Sequence, residues 1–564
     1  MMTNSCGRPG FGLHVRRQVR RWVLSALTAV TLAVSGPAMA ADQDNRPTIT
    51  IAVQDLVTSG ALDVMKERSN VGSRIFYSIF ESLIDYDRQD PKLPRKPFLA
   101  TSWKQIDDKT IELKLRQGVK FHNGETMTAD DVVFTFSPER FGLLPEQIEA
   151  AKNGKDTFIN KQTGVEGKVP PPEVAKAYIQ SWPLLDHVEK VDDSTVRFVA
   201  KQPDPTFLYR IASYGSEIYS QKAYRDAKSW TALAQMPVGT GPYKVTKFQD
   251  HNILELEAFD DYWGTRPPIK KLRFVVVPEV ASRVNGLLSG QYDFITDVPP
   301  DQIALIEKEK GYEVTGGPIA NHRLMVFDKN NGVMKNPLIR QAITHAIDRQ
   351  MIVDQLWGGR TVVPAGLQWD YYGDMFVKGW TPPAYDLDLA KKLLKEAGYK
   401  GEPIVMRVLN NYYTNQVATA QINAESFRQI GLNIDFQMKE NWAQIMDPTN
   451  NRAIRDWSNS ASYPDPVASI VSQHCQNGGQ QQSGEWTNAE FNKLCTVLET
   501  SMNHDDRKAA FKRMLEIAER EDPAYTVLYQ NAIFYGKRKD IAWKWSPLQS
   551  MDFRAENFSI KPAN

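Results

Sequence analysis

From Thr48 to Tyr535, segments with a two-residue hydrophobic period and segments with a three-to-four-residue period follow one another along the chain. A chain patterned in this way builds sheets covered by helices, which makes the expected fold class α/β. Its 564 residues exceed one compact domain, and at about 150 residues per domain they suggest three to four. Apolar residues make up 42% and charged residues 24%, so the chain can bury sizeable cores. Lys+Arg 68 against Asp+Glu 67 leaves no basic field directed at nucleic acid. No short-period repeat is present.

Individual elements are legible. Thr48 to Val53 alternates as a strand, as do Ile111, Leu113 and Leu115, and Val196, Phe198 and Ala200. Asn123-Gly124 predicts a tight turn, with His122 beside it as a solvated turn residue. Thr128-Ala129-Asp130-Asp131 reads as a helix cap. Residues 138–180 are charged and contain Val169-Pro170-Pro171-Pro172, the composition of a surface insertion. Asn252–Phe259 and Ile269–Val277 predict strands. Val280, Val284, Leu287 and Leu288 share a helical face closed by Gly290. Asn336-Pro337 and Asp386 open further helices, the second ending at Gly398. Leu432, Ile434 and Phe436 alternate. Helical patterns recur near 488–499 and 505–520, and a last apolar strand spans Tyr525–Tyr535.

The first forty residues stand apart. They contain five arginines (Arg8, Arg16, Arg17, Arg20, Arg21) and no acid, then an apolar run from Trp22 to about Val34, then Ser35-Gly36-Pro37-Ala38-Met39-Ala40. That order is a secretory signal peptide, and its apolar run is shorter than the roughly 20 residues that span a bilayer. The paired arginines fit either general or twin-arginine export, and Cys6 precedes the apolar run, badly placed for a lipoprotein cysteine. Without those five arginines the chain becomes slightly acidic. Cys475 and Cys495 remain. In an oxidising compartment they read as one disulfide around a polar loop; the other reading is two unpaired buried thiols.

Catalytic signatures are absent from the sequence. The eight His form no i, i+4 pair of a helical zinc site, and neither a G-x-S-x-G elbow nor a G-x-x-x-x-G-K-[ST] loop occurs. Pro242 in Gly239-Thr240-Gly241-Pro242-Tyr243 removes an N–H that phosphate binding would use, so this segment reads as a structural turn. The expectation is a protein that is not an enzyme and holds no cofactor and no metal.

Several motifs in order resemble one family. They are Leu99-Ala100-Thr101-Ser102-Trp103, the run from Leu113 to Glu125, Thr128 to Phe134, Gly239 to Tyr243, Asp261-Tyr262-Trp263, Ile339 to Arg349, and Tyr385 to Gly398. Together they are similar to the bacterial extracellular solute-binding proteins, family 5, of ABC importers, the peptide, nickel and opine group. The resemblance implies a two-lobed periplasmic binding protein fold, type II-like and of cluster C, with an extra nested domain in the first lobe. By that likeness residues 1–40 are the signal peptide. Residues 41–84, 212–320 and 524–564 form the discontinuous first-lobe domain, 85–211 the nested domain, and 321–523 the second lobe. It implies a periplasmic monomer that captures a peptide-like or other mid-sized solute and delivers it to a membrane permease, with no nucleic-acid partner. Alternatives are a carbohydrate, opine or metal-chelate receptor, or, in another class, an exported hydrolase or a chaperone-like binder.

Peptide-binding members use an early second-lobe Trp, a nearby Arg and a stretch W…D-Y-x-[DE]-P whose first Asp pairs with the ligand's α-amino group. The matching stretch runs from Trp457 to Pro466, with Ser462 in place of that Asp, followed by Tyr463 and Asp465. A neutral hydroxyl does not offset a buried ammonium, so free-amine peptides are expected to bind poorly. Trp442 matches the early Trp, and Arg452 and Arg455 are placed to meet an anionic ligand group. Asn321, His322 and Arg323 fall at the expected crossover between lobes. Trp369 and Tyr371 belong to an aromatic loop cluster.

Overall fold

The strand Thr48–Val53 forms where its alternation predicts, with Ile49, Ile51 and Val53 buried. It pairs in parallel with Lys271–Val276 on one side and with Phe294–Ile295 on the other. Residues 44–561, apart from 145, 148–166, 411 and 450, are described by the computed structural model. The expected signal peptide, residues 1–40, and the middle of the expected insertion lie outside the described residues. Among the described residues no helix is long and apolar enough to cross a membrane.

A ten-stranded mixed sheet runs through the molecule. Its order is 434–439, 404–409, 452–460, 312–327, 525–538, 294–295, 48–53, 271–276, 253–258 and 243–249. Two strands join its halves. Tyr312–Phe327 and Tyr525–Arg538 pair antiparallel along their length, with register shifts between Pro318 and His322 and between Arg323 and Leu324. The Gly536–Lys537 end of the second pairs with Phe294–Ile295 in the half holding Thr48–Val53, and the stretch Asn321–Phe327 of the first pairs with Arg452–Ser460 in the other half. The two halves of the sheet are the centres of two lobes, and two apolar clusters cover its faces, each drawing residues from both halves: Ile51 and Leu324 belong to one, Ala52, Met325 and Met406 to the other.

A separate four-stranded antiparallel sheet, in the order 100–105, 110–115, 195–200, 185–192, stands beside the first lobe. Its inward residues Ile111, Leu113, Val196 and Phe198 are the alternating ones read from the sequence. Helix Ala129–Thr135 packs against it behind the expected capping box of Thr128 and Asp131. The tight turn at Asn123-Gly124 also forms: the Gly124 N–H donates to the Phe121 carbonyl, and Gly124 has φ +88°, which glycine adopts without steric cost.

Two local expectations are corrected. Pro172–Ser181, inside the expected surface insertion, is a helix with Val174, Ala177 and Tyr178 buried. Tyr178 stacks on Phe141 at 4.2 Å between ring centroids. Pro171 and Pro172 act as helix starters there, which proline's fixed φ favours. His122 is not a solvated turn residue. Its Nε2 lies 2.9 Å from the Gly241 carbonyl and its Nδ1 accepts from Gly239 N–H at 3.2 Å, and burial pushes its imidazole down to about 4. The glycine-rich turn is structural, as read. A Cβ on Gly239 would stand 2.1 Å from the Ile79 carbonyl oxygen, so only glycine permits this approach.

Candidate functional site

A cavity lies between the lobes. It is lined from one side by residues between Thr58 and Glu217 and from the other by residues between Tyr412 and Glu499. Its volume is about 670 Å³, within the roughly 300–1,000 Å³ common for small-molecule sites.

The second-lobe wall is built by strand Arg452–Ser460 and the loop after it. Trp457 meets Trp442 edge to face at 4.9 Å, and Trp442 meets Tyr412 in the same way at 5.1 Å. Each ring is therefore fixed by a neighbour, a geometry worth about 0.5–1.5 kcal/mol per pair. Ser458 and Ser460 are held by the Asn321 amide, which donates to their hydroxyls at 3.0 and 2.7 Å, and Tyr413 shares a hydrogen bond with Ser458 at 2.6 Å. Ser462 opens onto the cavity, and its hydroxyl has no hydrogen-bond partner among the described residues. Around Trp457 this wall is aromatic and neutral.

The first-lobe wall is charged. Lys66 is paired with Glu173, and Arg88 with Asp85. Glu217 and Arg68 are different. Glu217 accepts from the Gly215 N–H at 2.8 Å and forms no ion pair among the described residues. Burial pushes its carboxyl up to about 7. The Arg68 guanidinium donates to the Ala177 carbonyl and the Ser181 hydroxyl, both at 3.2 Å, and pairs with no carboxylate among the described residues.

The lobes touch across the cavity. Tyr209 stacks on Tyr463 with ring planes 5° apart and centroids 6.0 Å apart. Arg210 reaches Glu499 at 3.5 Å, the Gln180 amide donates to the Asn477 carbonyl at 3.3 Å, and the Asn70 N–H donates to the Tyr412 hydroxyl at 3.1 Å. The cleft is therefore in a closed arrangement. Cys475 and Cys495 are bonded to each other, with Cα atoms 6.0 Å apart, and both border the cavity.

A model of the bacterial extracellular solute-binding proteins, family 5 Middle, matches residues 95–480. The chain belongs to this family. This solute-binding protein is 27% identical to the dipeptide-binding protein of Escherichia coli (strain K12) over 489 residues, which is 82% of this chain and 86% of the relative. It is 28% identical to the oligopeptide-binding protein AppA of Bacillus subtilis (strain 168), over 78% of this chain and 79% of the relative. Among solved structures, the dipeptide binding protein from pseudoalteromonas sp. SM9913 in complex with Met-Leu superposes with a TM-score of 0.76 at 22% identity, covering 91% of this chain and 100% of that one. That likeness establishes the two-lobed α/β fold.

Against this geometry the expected ligand residues divide. Trp442, Trp457, Ser462 and Tyr463 line the cavity. The others do not. Arg455 and Arg452 are buried against Glu485, and Arg452 also against Asp328 at 3.0 Å. Asp465 accepts two hydrogen bonds from Arg507, each 2.8 Å, and caps the turn at Val467. Arg323 is buried against Asp456 and lies 3.9 Å from the Tyr413 ring centroid. Asn321 positions serines behind the wall. His322 stacks on Trp369 at 4.0 Å, and Tyr371 donates to the Ala461 carbonyl at 3.0 Å. In this arrangement these side chains meet internal partners and do not border the cavity. Sequence reasoning missed Glu217 and Arg68, which lie in segments with no marking pattern.

Proposed function

We propose that this protein is the periplasmic substrate-binding component of an ABC importer. It closes its two lobes over one peptide-like or other mid-sized solute and presents the closed form to a membrane permease. The observation that carries this reading is the interlobe cavity itself, walled by neutral hydroxyls and fixed indole rings on one side and by unpaired charge on the other. A ligand touching both walls exists as such only when the lobes meet, so it stabilises closure by its differential affinity for the closed state. Exclusion of water then strengthens each polar contact to it. Micromolar affinity requires about 8 kcal/mol, which a few aromatic and charge-assisted contacts supply.

In this reading residues 1–40 direct export and are removed, and the protein acts as a monomer. The lobes divide as the family resemblance implies: 41–84, 212–320 and 524–564 with the nested 85–211 in the first, 321–523 in the second. The solute leaves chemically unchanged.

Titration of the purified protein with a library of peptides and other solutes, followed by tryptophan fluorescence, tests the reading. Trp442 and Trp457 border the cavity, so a bound solute gives a saturable, stoichiometric change. Formation of a reaction product from the solute would overturn it. Mass spectrometry of the compound that copurifies names the natural ligand.

A further inference from the structure

The family pattern places the acid that neutralises a ligand's ammonium on the second lobe, at the position held here by Ser462. The cavity nevertheless contains a free acid. Glu217 lines it from the opposite wall, in the segment between helix Phe207–Ile211 and helix Gln221–Asp226. Other acids bordering the cavity are already engaged. Glu81 accepts from Tyr262, Trp263, Thr240 and Arg554, and Glu499 meets Arg210. Glu217 accepts only backbone N–H groups, from Gly215 and from its own residue, and forms no ion pair among the described residues.

Arg68 supplies the complementary pole. Its side chain is solvent-accessible yet surrounded by protein, as befits a group on the wall of an enclosed cleft. Its two hydrogen bonds go to one carbonyl and one hydroxyl, and it forms no ion pair among the described residues. Glu217 and Arg68 act electrostatically on each other and on the Tyr214 hydroxyl, so the two charges share one region of the wall without forming an ion pair. Opposite charges on one cavity wall with no ion pair between them are open to a ligand that carries both signs.

We propose that Glu217 and Arg68 hold the two poles of a zwitterionic ligand, Glu217 taking its cationic group and Arg68 its anionic group. The ammonium is thus gripped by the first lobe, and the second lobe contributes hydroxyls and indole rings to the middle of the ligand. This rests on the reading of the cleft as a site for a peptide-like solute, and it replaces the expectation that free-amine peptides bind poorly.

The test is calorimetric titration of the full mature protein with trialanine, N-acetyl-trialanine and trialanine amide, repeated on Glu217→Gln and Arg68→Gln. Both variants are first checked for an unchanged melting temperature; in Glu217→Gln the amide oxygen keeps the bond from the Gly215 N–H. On the unaltered protein, N-acetylation should weaken binding by roughly 30-fold or more, the usual size for breaking a desolvated charge pair. On Glu217→Gln, trialanine and its N-acetyl form should bind equally, because the partner of the ammonium is gone. Arg68→Gln should likewise erase the difference between trialanine and its amide. If Glu217→Gln weakens both peptides by the same factor, its role is structural and the assignment is overturned. If trialanine binds tightly and is indifferent to N-acetylation, the assignment falls while the peptide reading stands. If none of the three binds the unaltered protein, the peptide-like reading itself fails and the assignment with it.

Discussion

Arg455 grips Glu485 through two parallel hydrogen bonds, Nε to Oε1 at 2.6 Å and Nη2 to Oε2 at 2.7 Å, while its guanidinium lies 4.3 Å from the centroid of the Trp457 ring. The arginine therefore backs a cavity-wall indole. Glu485 is fully buried and also meets Arg452 at 3.3 Å, so one carboxylate neutralises two buried cations. Replacing Glu485 by Gln should lower stability by about 3–5 kcal/mol, because it leaves the buried Arg455 without a carboxylate, while Arg452 keeps Asp328. A fall in the urea midpoint measures this. An unchanged midpoint would show that water, not Glu485, carries these charges.

The stack of Tyr209 on Tyr463 joins the lobes and does not build either one. Tyr463→Ala should weaken ligand binding up to about tenfold by removing a contact present only in the closed form. Small-angle scattering of the ligand-free variant should give a larger radius of gyration than the unaltered protein. Equal radii would mean that the stack does not bias the lobes toward closure.

The bridge between Cys475 and Cys495 closes a loop across a sequence separation of 20 residues. Chain-entropy arguments give it about 3 kcal/mol. Cys475→Ser with Cys495→Ser should lower the melting temperature, and reductant should lower that of the unaltered protein but not that of the variant. Titration of thiols in the unfolded, unreduced chain lacking residues 1–40 should find none, and finding two would remove the bridge.

Acid should destabilise the second lobe through two imidazoles. Burial holds His322 down to about 4 and His474 down to about 3, against an ordinary value of 6.5. His474 donates from Nδ1 to the Gln480 side chain at 2.6 Å. A depressed histidine leaves the unfolded chain binding more protons, so its contribution is present above about pH 6.5 and is lost as pH falls toward the folded value. His474→Gln should flatten the fall in denaturation midpoint between about pH 6.5 and 4. A slope identical to that of the unaltered protein would exclude His474 as a source.

The sequence makes some elements plain and conceals others for a physical reason. Thr48–Val53 and the strands at 110–115 and 195–200 are legible because their inward residues are apolar and their outward ones polar. The strands Ile404–Leu409 and Arg452–Ser460 are not, because Arg407, Arg452, Arg455 and Asp456 interrupt their apolar runs and yet are buried. Their partners are far away in the chain: Asp328 is 124 positions from Arg452, and Glu485 is 30 from Arg455. The same distant pairing removes these arginines from the site. Trp442, Trp457, Ser462 and Tyr463 reach the cavity because the family pattern fixes their places. Glu217 and Arg68 depend on which charges remain unpaired after folding, and that is a property of three-dimensional neighbours alone.

The pairing of Tyr312–Phe327 with Tyr525–Arg538, which joins the two halves of the ten-stranded sheet, has a mechanical outcome. Neither half can be cut out without severing both ribbons and baring a raw row of backbone donors and acceptors, which invites aggregation. Any opening of the jaws must then flex these two ribbons together, near the irregular register around Pro318 and His322, so the protein behaves as a sprung tweezer in which the elastic element and the handle are the same piece of sheet.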